Sequence, residues 1–170
     1  PFSSDTNASS VGNLTVTTAL TSGQSGSTHG YRSGGTSVDT IDKFSFTSDS
    51  DASDVGELSA VRNGLAGQQS TTDGYATGGF APGASNIIDK FPFSSDTNAT
   101  DVGELTRARY YLSGVSSTTN GYSCGGYEPT IGDTIDKFLF SSESTTADVG
   151  ELSSTIGTSA TSASQTNGYS

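Results

Sequence analysis

Apolar residues along this chain come in short clusters, each cut off by Ser, Thr, Gly, Asp or Asn. No stretch carries a helical stripe for two full turns before such a residue interrupts it. The clusters are rich in Ile, Val, Phe, Tyr and Leu, which suit half-buried pleated strands. The pattern predicts strands over 87–93, 102–106, 112–117 and 121–125. In the first of these, Ile88 falls on one face and Phe91 and Phe93 on the other. A strand that is apolar on both faces belongs in a sheet covered on both sides.

The clusters recur. Val-Gly-x-Leu starts at Val11, Val55, Val102 and Val149, and Gly-Tyr at Gly30, Gly74, Gly121 and Gly168. Ile-Asp-Lys-Phe starts at Ile41, Ile88 and Ile135, giving a period of 44 to 47 residues. Such a period marks a unit that stacks on copies of itself. Gly12 to Gly30 spans 18 positions, and so does the equivalent pair in every later unit. Length varies only between the Gly-Gly pair and Ile-Asp-Lys-Phe: 6 positions from Gly35 to Ile41, and 9 from Gly79 to Ile88 and from Gly126 to Ile135. Fixed loops suit strands whose register matters, and the variable one must lie at the surface. Four antiparallel strands per unit predict an all-β fold of propeller blades, with a linear solenoid as the competing arrangement. An open array would expose strand edges and an apolar end face, so neither end is expected to be free.

The unit resembles a kelch repeat, the blade of kelch-type and galactose-oxidase-like propellers. Gly30-Tyr31-Arg32-Ser33-Gly34-Gly35 resembles that family's Gly-Gly strand, as do 74–79 and 121–126. Ile-Asp-Lys-Phe stands where the family has Tyr-Asp, and Val-Gly-Glu-Leu at Val55 and Val102 stands at the outer strand. Arg62 and Arg109 match the family arginine; Thr18 and Ile156 replace it in the other units, and the chain has no Trp. The likeness covers essentially all 170 residues. It implies four-stranded antiparallel blades in one repeat domain over 1–170, with three complete blades and partial blades at both ends. The chain is then a fragment, or a strand-sharing subunit, of a larger ring. Pro1 implies processing or truncation. The Ser/Thr-rich variety is also similar to kelch-like repeats of marine phage and uncultured microbial proteins, which implies a virion appendage or a secreted protein.

Apolar content is only 30%, but 7 Tyr and 8 Phe in fixed register argue for a packed fold over disorder. A net charge of -11 repels phosphate backbones and anionic bilayers, so nucleic-acid and membrane partners are not expected. No apolar run reaches the length of a membrane-spanning helix. Cys124 is the sole cysteine. It takes the place of Ser33 and Thr77, as a buried small residue or as one half of an interchain bridge. The absence of Met and the abundance of Asp and Ser suit an extracellular surface.

Candidate chemistry is sparse. His29, the one histidine, shares its place with Asp73, Asn120 and Asn167 and reads as a turn residue. A histidine-based triad or histidine metal cluster is excluded within the chain. Galactose-oxidase copper chemistry is therefore not carried over. Asp49, Asp51 and Asp54 form an acidic loop, with Asp96, Asn98 and Asp101 as its counterpart; the other units carry Glu143, Thr145 and Asp148, and Asp5, Asn7 and Ser10. Oxygen donors at these intervals could hold a hard cation such as calcium, weakly. The same residues also make side-chain turns at strand ends, and both readings stand. Lys43, Lys90 and Lys137, with Arg62 and Arg109, are expected to meet acids on neighbouring units. Asn7, Asn13 and Asn98 each begin a glycosylation triplet.

These features predict a non-enzymatic propeller that binds or adheres to a protein or glycan surface through its variable loops at 36–40, 80–86 and 127–134. Phe80 and Tyr127 are the candidate contact residues. The alternative is a structural subunit that assembles into a homo-oligomer through its end blades, extracellular or on a virion. A glycan-active enzyme is the least favoured reading, because no unit has a unique acid–base pair.

Overall fold

The computed structural model describes residues 9–143, 146–157, 162–163 and 168–169. Phe2, Asp5, Asn7 with Ala8 of its glycosylation triplet, Thr145 and Asn167 lie outside them. Every regular element among the described residues is a β-strand.

The first sheet is a meander of β1 (Ser22–Ser25), β2 (His29–Ser33), β3 (Thr40–Ser45) and β4 (Ser53–Glu57). The second repeats it with β5 (Ala66–Gln69), β6 (Asp73–Thr77), β7 (Ile87–Pro92) and β8 (Thr100–Glu104). The third begins with β9 (Ser113–Ser116) and β10 (Asn120–Cys124). A small excursion follows, with β11 (Tyr127–Glu128) paired to β12 (Thr130–Ile131). The third sheet then closes with β13 (Thr134–Leu139) and β14 (Thr146–Glu151). A last hairpin joins β15 (Ser162–Ala163) to β16 (Gly168–Tyr169).

Each motif has a local cause. Register places Gly30 opposite Phe44, Gly74 opposite Phe91, and Gly121 opposite Phe138. A Cβ on any of these glycines would strike that ring, so the glycine lets the cross-strand aromatic lie flat on the backbone. The Ile-Asp pair carries a β-bulge at the same step in all three sheets: Ile41/Asp42, Ile88/Asp89 and Ile135/Asp136. Ile and Asp point to opposite faces, yet Ile41, Asp42, Ile88 and Asp89 are all fully buried. One face of the strand meets apolar groups and the other an arginine.

The sheets stack through their first strands, with β5 against both β1 and β9. Tyr31 of the first sheet lies on Phe93 and Phe91 of the second, with centroids 4.8 and 5.5 Å apart. Tyr75 repeats the contact on Phe140 and Phe138 of the third, at 5.0 and 5.4 Å. Two apolar cores follow, one in each gap. Between the first strands the packing is polar. The Gln24 side-chain amide donates to the Tyr75 carbonyl at 2.9 Å, and Gln68 donates to Tyr122 at 3.0 Å.

The all-β expectation holds, but the kelch-like propeller does not. The three four-stranded sheets remain separate, and none closes into a barrel or ring. On the outer face of the first sheet, Phe44 and Phe46 are 37% and 53% exposed, where a ring would bury them. The resemblance to the kelch family and the picture of adhesion through a propeller's loops fall with it. The repeat spacing fixes each sheet and its step to the next; it does not bring the first sheet round to the last.

Candidate functional site

The most buried polar groups form a structural clamp repeated in each unit. Arg62 donates to the carbonyls of Gly78 (2.5 Å) and Ile87 (3.3 Å) and to Asp89 Oδ2 (2.5 Å). Arg109 makes the same set with Gly125, Thr134 and Asp136, at 2.7, 3.0 and 2.8 Å. Thr18 stands at this place in the first unit, and there Arg32, from β2, makes the matching contacts. It reaches Gly34, Thr40 and Asp42 at 2.7, 3.3 and 2.6 Å. Sequence comparison missed this relocation because Arg32 aligns with Ala76 and Ser123. Burial pulls the Arg62 guanidinium below its ordinary pKa, and the Asp89 carboxylate opposes that pull.

The acidic loop residues go to separate partners. Asp51 accepts from the backbone and side-chain amides of Asn13, at 2.9 and 3.1 Å. Asp54 and Asp101 turn back on the amides of Gly56 and Gly103, both at 3.2 Å. Asn98 accepts from the Glu57 backbone amide, and Asp96 pairs with Lys43 at 2.9 Å. Asp49 is exposed. Among the described residues no group of three or more His, Cys, Asp or Glu is placed to hold a metal ion. Cys124 is a buried free thiol whose pKa burial pushes up. His29 Nδ1 lies 2.9 Å from the Thr28 hydroxyl at an exposed turn.

Two of the three lysines bridge units as expected, Lys43 to Asp96 and Lys90 to Glu143 at 2.5 Å, whereas Lys137 makes no ion pair among the described residues. Glu143 also accepts from the Tyr75 hydroxyl at 3.2 Å. Burial pushes the Tyr75 phenol well above its ordinary 10.0, and Glu143 and Asp73 add to the rise. The hydrogen bond to Glu143 raises Lys90 above 10.5. Both groups hold their protons more tightly folded than unfolded, so their stabilisation is fully present below about pH 10 and fades as pH rises through the folded values. Denaturation midpoints should begin to ease above about pH 8, as the unfolded Cys124 thiol ionises while burial keeps the folded one protonated, and fall more steeply above about pH 10. Tyr75→Phe should flatten that alkaline fall in urea titrations; an unchanged slope would remove Tyr75 from the account.

Phe80 and Tyr127 come together on one surface. Antiparallel bridges join Asn63 to Phe80 and Tyr110 to Tyr127, directly after the clamping Arg62 and Arg109. Tyr110 sits between the two candidates, 5.0 Å from Phe80 and 5.2 Å from Tyr127, and 4.9 Å from Tyr111. Phe80 is 38% exposed and Tyr127 36%. Partial desolvation pushes the Tyr110 hydroxyl up, with Tyr127 and Tyr111 adding to it. The reading of the sequence missed Tyr110 and Tyr111, although an adjacent Tyr pair follows a clamp arginine only here. Their counterparts in the preceding unit are Asn63 and Gly64. Tyr111 has φ 58°, as Gly64 has 63° and Leu20 60°. Tyrosine pays a steric penalty in a conformation that glycine adopts freely. No family model and no curated protein matches the chain in sequence.

Proposed function

We propose that the chain is a non-enzymatic, extracellular repeat scaffold that holds a neutral glycan against the aromatic patch of Phe80, Tyr110, Tyr111 and Tyr127. The observation that carries this reading is that the patch breaks the repeat. The clamps, cores and bulges recur from unit to unit, and so does the ring after the Gly-Gly pair, Phe80 in one unit and Tyr127 in the next; Tyr110 and Tyr111, which join them, stand where the other units have Asn63 and Gly64 or Ala19 and Leu20. One of them keeps an unfavourable backbone conformation, the kind of local cost that concentrates where a surface is used. Aromatic faces with phenolic edges suit the apolar face of a sugar ring, and the negative net charge disfavours acidic polymers.

The test is retention on immobilised neutral oligosaccharides. Phe80→Ser and Tyr127→Ser should each weaken retention about five- to tenfold, the worth of one aromatic contact, while thermal midpoints stay put. Tyr111→Gly should weaken retention too, yet leave stability unchanged or raised by up to about 1 kcal/mol. Wild-type retention in the first two variants would end the proposal.

A further inference from the structure

The first sheet ends in an unfilled cleft of about 230 Å³, lined by Val11, Leu14, Phe44, Asp49 and Ala52. Four of these positions recur one unit later as Val55, Leu58, Phe91 and Ala99, which together enclose Tyr31. The cleft is thus the same socket without its tyrosine. Its outer wall is already seated in the repeated manner. The Ala52 amide donates to the Asn13 carbonyl at 2.8 Å, as Ala99 does to Glu57 at 2.8 Å. The Thr15 amide donates to Asp42 at 3.2 Å, as Ser59 does to Asp89 at 3.0 Å. Among the described residues no Gly-Tyr strand fills it.

The chain carries one such strand outside the three sheets. In β15–β16, Tyr169 pairs with Ser162 and Gly168 with Ala163. This is the register of Tyr31 with Gln24 and Gly30 with Ser25, and of Tyr75 with Gln68 and Gly74 with Gln69. The hairpin lies against β9, as β5 lies against β1. One copy therefore presents a Gly-Tyr hairpin on its last sheet, and another presents a tyrosine socket on its first.

We propose that the Val11–Phe44–Ala52 cleft is a docking site for the β15–β16 hairpin of a second copy of this chain, with Tyr169 entering the socket that Tyr31 fills internally. The contact is head to tail, so copies add in rows that stay open or close into a ring according to the rotation at each step. Tyr31 in its socket is 4% exposed and Phe91 2%, against 37% for Phe44, so docking would bury apolar surface that the first sheet leaves bare.

Sedimentation across a dilution series tests this. Wild-type mass should rise above 17.2 kDa as concentration approaches about 1 mM, the weak end of specific association. Phe44→Ser, which blocks the head, and Tyr169→Ser, which blocks the tail, should each stay monomeric alone. Mixed together they should form a dimer and nothing larger, because one still has a tail and the other a head. A wild-type chain that stays monomeric overturns the proposal. So does association that survives either substitution, or a mixture that yields no dimer. Circular dichroism of each variant confirms that a silent mixture does not reflect unfolding.

Discussion

Arg62→Ala should cost about 3–5 kcal/mol of folding stability, a large part of what a domain of this size has. The guanidinium is 1% exposed and its partner Asp89 is fully buried. Removing the cation strips Asp89 Oδ2 of its charged donor at 2.5 Å and leaves only the Ser59 amide at 3.0 Å. It also orphans the carbonyl of Gly78, which sits at the left-handed turn before Gly79. The loss comes mostly from the charge left behind, so removing both charges should be far milder. Arg62→Met with Asp89→Leu should recover most of the stability, because a well-packed apolar pair avoids the desolvation that the ion pair only partly repays. A chemical denaturation series on the two variants decides the point: equal losses would show that the clamp acts through packing alone. The first unit adds a control. Arg32→Ala should lose a similar amount, and Thr18→Arg on that background should restore much of it by supplying the guanidinium from the place that Arg62 and Arg109 use.

That relocation shows what the sequence could and could not reveal. The four-strand unit was legible because its motifs have local causes: glycine opposite phenylalanine, and a bulged Ile-Asp step. The Lys43 and Lys90 bridges were legible too, since a lysine repeated in register has to meet a repeated acid, here Asp96 and Glu143. Arg32 was hidden because a guanidinium can reach one carboxylate from two different backbone positions, and alignment registers only the backbone position. Closure was hidden for a different reason. It depends on the small rotation between successive sheets summed over all of them, a quantity no single unit encodes, and so the kelch-like ring was expected where an open stack is found. The aromatic patch was half legible: Phe80 and Tyr127 stood out in variable loops, while Tyr110, which joins them, lay in what read as a framework segment.

The separation between sheets is set by backbone meeting backbone, and this makes a single methyl group decisive. Gly67 lies on β5 beneath the Gly23 carbonyl of β1, and Gly114 lies on β9 beneath the Gly67 carbonyl; a Cβ at either place would collide with that oxygen. Neither obstacle is a side chain that could rotate away. Gly67→Ala must push the sheets apart or tilt them, which loosens the Tyr31 stack on Phe91 and Phe93 and lengthens the 2.9 Å bond from Gln24 to the Tyr75 carbonyl. Overpacking of this kind costs about 1–3 kcal/mol. Gly23 occupies the same place on β1, yet a Cβ there meets nothing nearer than the Tyr31 carbonyl oxygen at 3.9 Å. Gly23→Ala should therefore be neutral or slightly stabilising, since alanine narrows the unfolded ensemble. The contrast isolates stacking from strand propensity, because all three glycines sit at equivalent strand positions. Thermal midpoints that fall for Gly67→Ala and Gly114→Ala but hold for Gly23→Ala would confirm that each sheet rests on the carbonyl row of the one before it. Equal losses at all three would mean that glycine is required by the strand itself.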